Sequence, residues 1–297
     1  MRSGNLNDMM TEHRAENRKK ESEMDGQEFD RFCIEDKMQD NGELRKSARG
    51  GAVITGATHG IGRALALCFA RAGYYLALNA RDEAALQSLS EQINQGQGDC
   101  PRCVYAAGDI SEMKTAQRLL EEADRLAKTA GLPRSADVLI NNAGIAHIGL
   151  LQDMSAEEWN RIVSVNLTSV FNTCRAAVPY MLHAHSGRIL NISSVWGVVG
   201  ASCEVAYSAA KGGINAFSAA LAKELAPSGI AVNALACGAV DTRMNGQLSE
   251  EERAQLLDEI PAGRMARPEE VAAFCLQLCE ASTYLTGQTI RFDGGWI

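Results

Sequence analysis

The sequence predicts a single doubly wound α/β domain with a central parallel sheet of about seven strands. Three observations predict it. From Gly50 onward, short β-branched runs alternate with helical stretches; a glycine-rich turn separates the first run from the first helix; and neither an internal repeat nor a second-domain boundary interrupts the chain to residue 297. In order, strands are expected at Ala52–Thr55, Tyr75–Leu78, Cys103–Ala107 and Asp137–Ile140, with helices at Ile61–Ala72, Glu83–Gln95 and Met113–Ala130 between them. Strands at Gly187–Ser193, Ile230–Ala236 and Gly287–Phe292 follow, separated by helices around 156–184, 206–226 and 268–280. Repeated βα units place helices on both faces of a parallel sheet, because each crossover must return along one face.

Residues 1–48 have a different texture. They are crowded with charged side chains, and Phe29, Phe32 and Ile34 keep no long period, which predicts a mobile charged extension ahead of a domain over 49–297. An interaction arm is the alternative reading, and Met24 and Met38 offer alternative starts.

Composition excludes several classes. Of 297 residues 46% are hydrophobic, ample for a sizeable core, and the formal net charge of −8 argues against nucleic acid or an anionic membrane as partner. An acidic carrier protein also matches poorly overall, unless a local basic patch receives it. The nine cysteines lie mostly singly in apolar stretches around positions such as Cys68 and Cys275, where they read as small core residues and not as a disulfide framework. Cys100 and Cys103 have redox or zinc spacing but no second pair and no histidine partner, so no metal is expected. No long apolar run and no signal-peptide core occur, which predicts a cytoplasmic protein.

The turn after the first strand reads Thr55-Gly56-Ala57-Thr58-His59-Gly60-Ile61-Gly62. Glycines here permit a tight turn and close backbone approach to a pyrophosphate, while the helix N-terminus offers unpaired N–H groups and partial positive charge. Three residues, in place of one, separate the first two glycines. With the motifs that follow, this spacing resembles the short-chain dehydrogenase/reductase family, which implies a Rossmann-type domain and a nicotinamide dinucleotide held by Gly56, Thr58, His59, Gly60, Ile61 and Gly62. At the end of the second strand, Ala80 occupies the position where an acidic residue would accept bonds from a free ribose 2′-hydroxyl, and Arg81 follows it. A 2′-phosphate is thus permitted and paired, His59 adds a basic group nearby, and NADP(H) is favoured over NAD(H). Asp109 resembles the family aspartate that bonds the adenine, and Asn142, Ala143 and Gly144 resemble the turn that lines the cofactor cleft and steadies the sheet.

Tyr207 and Lys211 stand four residues apart, on one face of a helix, with Ser194 thirteen residues before Tyr207 and Asn166 further upstream. Asn166, Ser194, Tyr207 and Lys211 match the family's catalytic tetrad position by position. The resemblance implies reduction of a carbonyl: Tyr207 gives the proton, its phenol made more acidic by the charge of Lys211 and of the oxidised cofactor. It further implies that Ser194 holds the substrate oxygen, that Asn166 supports a proton-refilling water chain, and that Tyr207 and Lys211 also belong to the cofactor set, Lys211 through the nicotinamide ribose. Where the family usually reads Pro-Gly-x-x-x-Thr, this chain has Cys237 before Gly238, Val240 and Thr242. Gly238, Val240 and Thr242 are expected to hold the nicotinamide carboxamide, with Cys237 filling the place of the proline.

Over 50–297 the chain resembles bacterial 3-oxoacyl-carrier-protein reductases, although the positions of their two carrier-docking arginines look like His185 and Ser228 here. The stretch from Trp196 to Tyr207 resembles, more closely, the reductases of the 5-aminopentanone modification on elongation factor P. In that reading Glu204 faces a cationic amine and Trp196 walls the pocket; otherwise Glu204 is an N-terminal helix carboxylate and Trp196 merely packs. Residues 244–265, with acidic residues after Ser249, are expected to form a helical lid. A sugar, steroid or polyol dehydrogenase and a non-catalytic dinucleotide-binding module are the remaining alternatives. Relatives imply a homotetramer, or a homodimer, through the helices at 156–184 and 206–226, with Trp296 buried in an interface.

Overall fold

The computed structural model describes residues 49–95, 100–246 and 248–297. The charged extension over residues 1–48 lies outside them. The chain runs β1 (Gly51–Thr55), α1 (Gly60–Arg71), β2 (Tyr75–Ala80), α2 (Glu83–Asn94), β3 (Cys103–Ala107), α3 (Met113–Ala130), β4 (Val138–Asn141), α4 (Ala156–Val163), α5 (Ser169–Ala184), β5 (Gly187–Ser194), α6 (Val205–Leu225), β6 (Ile230–Cys237), α7 (Glu250–Glu259), α8 (Pro268–Glu280) and β7 (Thr289–Phe292). One seven-stranded sheet results, in the order β3-β2-β1-β4-β5-β6-β7, with every pairing parallel.

Register explains the core. Val53 pairs with Ala77 and Leu139, Leu139 with Ile189, and Ile189 with Val232, so one row crosses five strands. Since side chains alternate between faces, this whole row points one way, into a cluster with Leu119 and Leu120 of α3, Val170 and Met181 of α5, and Ile214 of α6. The next residues, Ile54, Ile140 and Leu190, are also fully or almost fully buried and face the opposite layer, where α1 packs on α8. Each such side chain contributes roughly 1.5–3 kcal/mol by leaving water, and the double burial accounts for the nearly unbroken apolar runs in these strands.

Two local results differ from the expectation. The helix expected over 156–184 is interrupted by a π-helical turn at Ser164–Thr168, which carries Asn166. Asp137 stays outside β4: its carboxylate accepts a hydrogen bond from the Gly51 N–H at 2.9 Å and pairs with Arg134. The lid segment does contain a helix, α7, started by a capping box in which Ser249 accepts from the Glu252 N–H and Glu252 accepts from the Ser249 N–H. Among the described residues no helix is long and apolar enough to cross a membrane.

The strand order reverses between β1 and β4. At such a switch point the loops leaving the two strands diverge and open a crevice at the carboxyl end of the sheet.

Candidate active site

A cleft of about 720 Å³ opens at that point. Its glycine wall has no room for side chains: a Cβ on Gly62 would lie 1.9 Å from the Gly56 carbonyl oxygen, and one on Gly56, where φ is +66°, would lie 2.9 Å from the Ala143 Cα. Asn142 locks this wall to the β4 turn. Its side-chain amide donates to the carbonyls of Thr55 (3.0 Å) and Gly56 (3.1 Å), while the N–H groups of Asn142 and Ala143 donate to the Thr55 hydroxyl. The loop therefore presents bare backbone and the start of α1 to the cleft, which is the form a dinucleotide diphosphate requires. Thr58, His59, Gly60, Ile61, Arg81, Asp109, Gly144, Gly238, Val240 and Thr242 line the same cleft.

Arg81 is exposed at the rim beyond buried Ala80. His59 hydrogen-bonds Thr58 at 2.9 Å, and burial together with the Arg243 charge lowers its pKa. Asp109 accepts from the Ser111 N–H (3.0 Å) and hydroxyl (2.7 Å) and from the Arg161 guanidinium (2.7 Å). Burial opposes its ionisation, yet these hydrogen bonds outweigh burial and hold the carboxyl down at about 2. On the far wall, Gly238 packs so closely on β7 that a Cβ would lie 2.9 Å from the Asp293 Cα, and a Cβ on Gly60 would lie 3.0 Å from the Thr242 methyl. The glycine loop and the loop after β6 thus meet across the cleft.

Ser194 ends β5, while Tyr207 and Lys211 stand on the first turns of α6. The Ser194 hydroxyl accepts from the Trp196 N–H at 3.1 Å, and Ser194 and Tyr207 line the same cleft. Lys211 is buried; its ammonium donates to the Ile192 carbonyl at 2.7 Å and lies 5.6 Å from the centre of the Tyr207 ring. Burial lowers the Lys211 pKa to about 8. Burial also raises the Tyr207 phenol well above its ordinary value, and the charge of Glu204 adds to this. Within the chain the desolvated phenol resists ionisation, and burial sets its direction. A phenol in this state keeps its proton at neutral pH, as a proton donor must. The Cys237 thiol, buried beside Lys211, is pushed up to about 12 and stays protonated: a small packed side chain and no nucleophile.

Asn166 stands behind the cleft. Its side chain accepts from the Ile145 N–H at 2.7 Å and donates to the Ile145 carbonyl at 2.8 Å, which fixes the strand-like segment after Gly144 as a neighbouring strand would. Glu204 precedes α6 without capping it, and burial raises its pKa. Trp196 packs edge-on against Trp296, with ring centres 4.8 Å apart. Trp296 is therefore partly covered within its own chain. Neither Trp196 nor Glu204 lines the cleft.

Arg161 and Arg243 also line the cleft, which sequence reasoning missed, as do Met244 and Asn245 at the start of the expected lid. Arg161 reaches Asp109 across 52 residues of sequence, a pairing that only the packing of α4 against the β3 turn creates. The cradle, its bare backbone and its flanking cations fit a nicotinamide dinucleotide.

A fold of this order with such a cleft defines a dinucleotide-dependent oxidoreductase acting on CH–OH and C=O groups. The short chain dehydrogenase profile matches residues 51–253, and the chain belongs to the short-chain dehydrogenase/reductase family. Among curated relatives, an uncharacterised oxidoreductase, YmfI, of Bacillus subtilis is 40% identical over 248 residues, covering 82% of this chain and 98% of its own. A 3-oxoacyl-[acyl-carrier-protein] reductase of Chlamydia trachomatis is 38% identical over 253 residues, covering 82% and 96%. The crystal structure of a reductase of that name from Brucella melitensis superposes with a TM-score of 0.75 at 33% identity, covering 88% of this chain and 98% of the other.

Proposed function

We propose that residues 49–297 form an NADPH-dependent reductase that converts the ketone of a 3-oxoacyl thioester to an alcohol. The observation that carries this reading is the grouping in one cleft of Ser194, a buried Tyr207 phenol that keeps its proton, and the Lys211 ammonium 5.6 Å from the centre of its ring. A nicotinamide dinucleotide bound in the cleft supplies the hydride to the carbonyl carbon. Tyr207 delivers its proton to the carbonyl oxygen, and Ser194 donates a hydrogen bond to that oxygen as negative charge develops on it. Lys211 favours proton release through its charge and offers donors toward the nicotinamide ribose. Asn166 holds the Ile145 segment that walls this region. Gly56, Thr58, Gly60, Ile61 and Gly62 cradle the diphosphate, Arg81 and His59 receive a 2′-phosphate, Asp109 meets the adenine, and Gly238, Val240 and Thr242 meet the carboxamide.

Names of relatives support the thioester as substrate. The positions of the docking arginines, His185 and Ser228, stand at the amino ends of β5 and β6, opposite the cleft. A carrier bound there would serve the cleft of a second copy. Phe171, Pro179 and Leu182 expose one stripe along α5, which supports assembly as a dimer or tetramer through α4–α6. The composition supports a cytoplasmic location.

A second reading, reduction of an aminoketone attached to a protein, is favoured by Glu204: a carboxylate that caps nothing and acts electrostatically on Tyr207 suits an ammonium on the substrate. One assay separates the two. Oxidation of NADPH and of NADH is followed with an acetoacetyl thioester and with aminopentanone-modified elongation factor P. Preferential NADPH-driven turnover of the thioester is expected; turnover of the modified factor alone selects the second reading.

A further inference from the structure

The segment that follows β7 touches three parts of the site. The Phe292 carbonyl accepts from the Gly238 N–H at 3.0 Å, at the loop after β6. The Gly294 carbonyl accepts from the Ala262 N–H at 3.1 Å, just beyond α7, and a Cβ on Gly294 would lie 2.9 Å from that of Ala262, so the two backbones are in direct contact. Asp293 ties the segment to itself by accepting from the N–H groups of Gly295 (3.0 Å) and Ile297 (3.3 Å). From this fixed base the Trp296 indole reaches both ways: its ring lies against Trp196 at 4.8 Å and 65°, and its Nε1–H donates to the Glu259 carboxylate, at the end of α7, at 3.3 Å.

Trp196 is two residues past Ser194, and its backbone N–H donates to the Ser194 hydroxyl. A hydroxyl that accepts this bond must direct its own proton elsewhere, and the cleft that Ser194 shares with Tyr207 is open to it. The place of the Trp196 backbone therefore sets the direction of the serine donor, and the edge-to-face contact with Trp296, within the favoured range for aromatic pairs, sets the place of Trp196. We propose that Trp296 is a positioning residue that aims the Ser194 hydroxyl through Trp196 and steadies the carboxyl end of α7 through Glu259. The inference rests on the role given above to Ser194.

The test is a double-mutant cycle, with NADPH and an acetoacetyl thioester as substrates. Trp296→Ala is expected to lower kcat ~10-fold, the scale of a modest misplacement in a site, and to raise KM for the thioester, with NADPH affinity measured by titration unchanged. In a Ser194→Ala background the same substitution is expected to cost no further kcat. An additive loss there, or normal kcat in Trp296→Ala beside an impaired Ser194→Ala, overturns the inference and leaves the reading of the site intact. Normal turnover by Ser194→Ala overturns the reading, and the inference with it. Should Trp296→Ala not fold, Trp296→Phe and Glu259→Gln serve: both keep the ring contact, so both are expected to raise KM non-additively with kcat retained, and a loss of kcat in both overturns the division of roles. The Trp196–Trp296 pair is also expected to give an exciton couplet in circular dichroism that Trp196→Phe and Trp296→Phe each abolish; a wild-type protein without the couplet refutes the pairing.

Discussion

Two helices follow loops that line the cleft, and they are built on opposite principles. In α1, Gly62, Ala64, Leu65, Ala66, Cys68 and Phe69 are buried, so the core fixes the helix that faces the diphosphate cradle. In α7 no residue is buried, and the helix is held by its capping box at one end and by the segment after β7 at the other. Local opening costs little where few apolar contacts are lost. The wall that α1 carries is thus tied to the core, whereas opening α7 would cost the fold little.

Substitutions can sharpen that contrast or break it. The largest effect is expected from Tyr207→Phe at the seam between the walls: turnover falls at least ~10²-fold while cofactor affinity, measured by titration, stays the same. Near-normal turnover would remove Tyr207 from its role. Gly62→Ala attacks the wall that α1 carries, where the new Cβ would meet the Gly56 carbonyl; thermal unfolding should register a loss of about 1–3 kcal/mol together with weakened dinucleotide binding. Unchanged melting would mean that the wall yields, and the contrast with α7 would collapse. Arg81→Asp should leave stability alone and shift the ratio of kcat/KM for NADPH over NADH toward NADH; an unmoved ratio would refute phosphate pairing.

Two smaller effects probe the edges. Asp109 titrates near 2 in the folded chain, below its ordinary 3.8, so it contributes stability at neutral pH that is lost as pH falls from about 4 toward 2. In Arg161→Ala the folded value should rise, and acid unfolding curves should show a shallower loss over that window than wild type. Ser249→Ala removes the cap of α7 and should fray it by about 1 kcal/mol without moving the global melting temperature, while KM for the carbonyl substrate rises. A cooperative drop in melting temperature would show that α7 is part of the core.

The same contrast decides what was legible in the sequence. Strands buried on both faces, such as β1, β4 and β6, advertise themselves as apolar runs, and the edge strands β3 and β7 were readable from their place in the βα alternation, as was the glycine loop from its turn. Those features are local: a turn, a period, a fixed spacing. The Arg161–Asp109 pair and the Trp196–Trp296 contact join residues far apart in sequence, and no local pattern marks either partner. The burial of Tyr207 was not legible for a related reason. Spacing placed Lys211 beside it, but the depth of the pair, which sets the cost of desolvation, belongs to the assembled fold.

The π turn at Ser164–Thr168 has a consequence for insertions and deletions. A π turn holds one residue more than the regular ladder needs, so deleting a residue there would let α4 and α5 merge into one better-bonded helix. The deletion would also remove the widened turn that carries Asn166 and take its amide away from Ile145. Here the more regular helix would make the poorer site: the irregularity is what lets a helix residue reach a loop backbone.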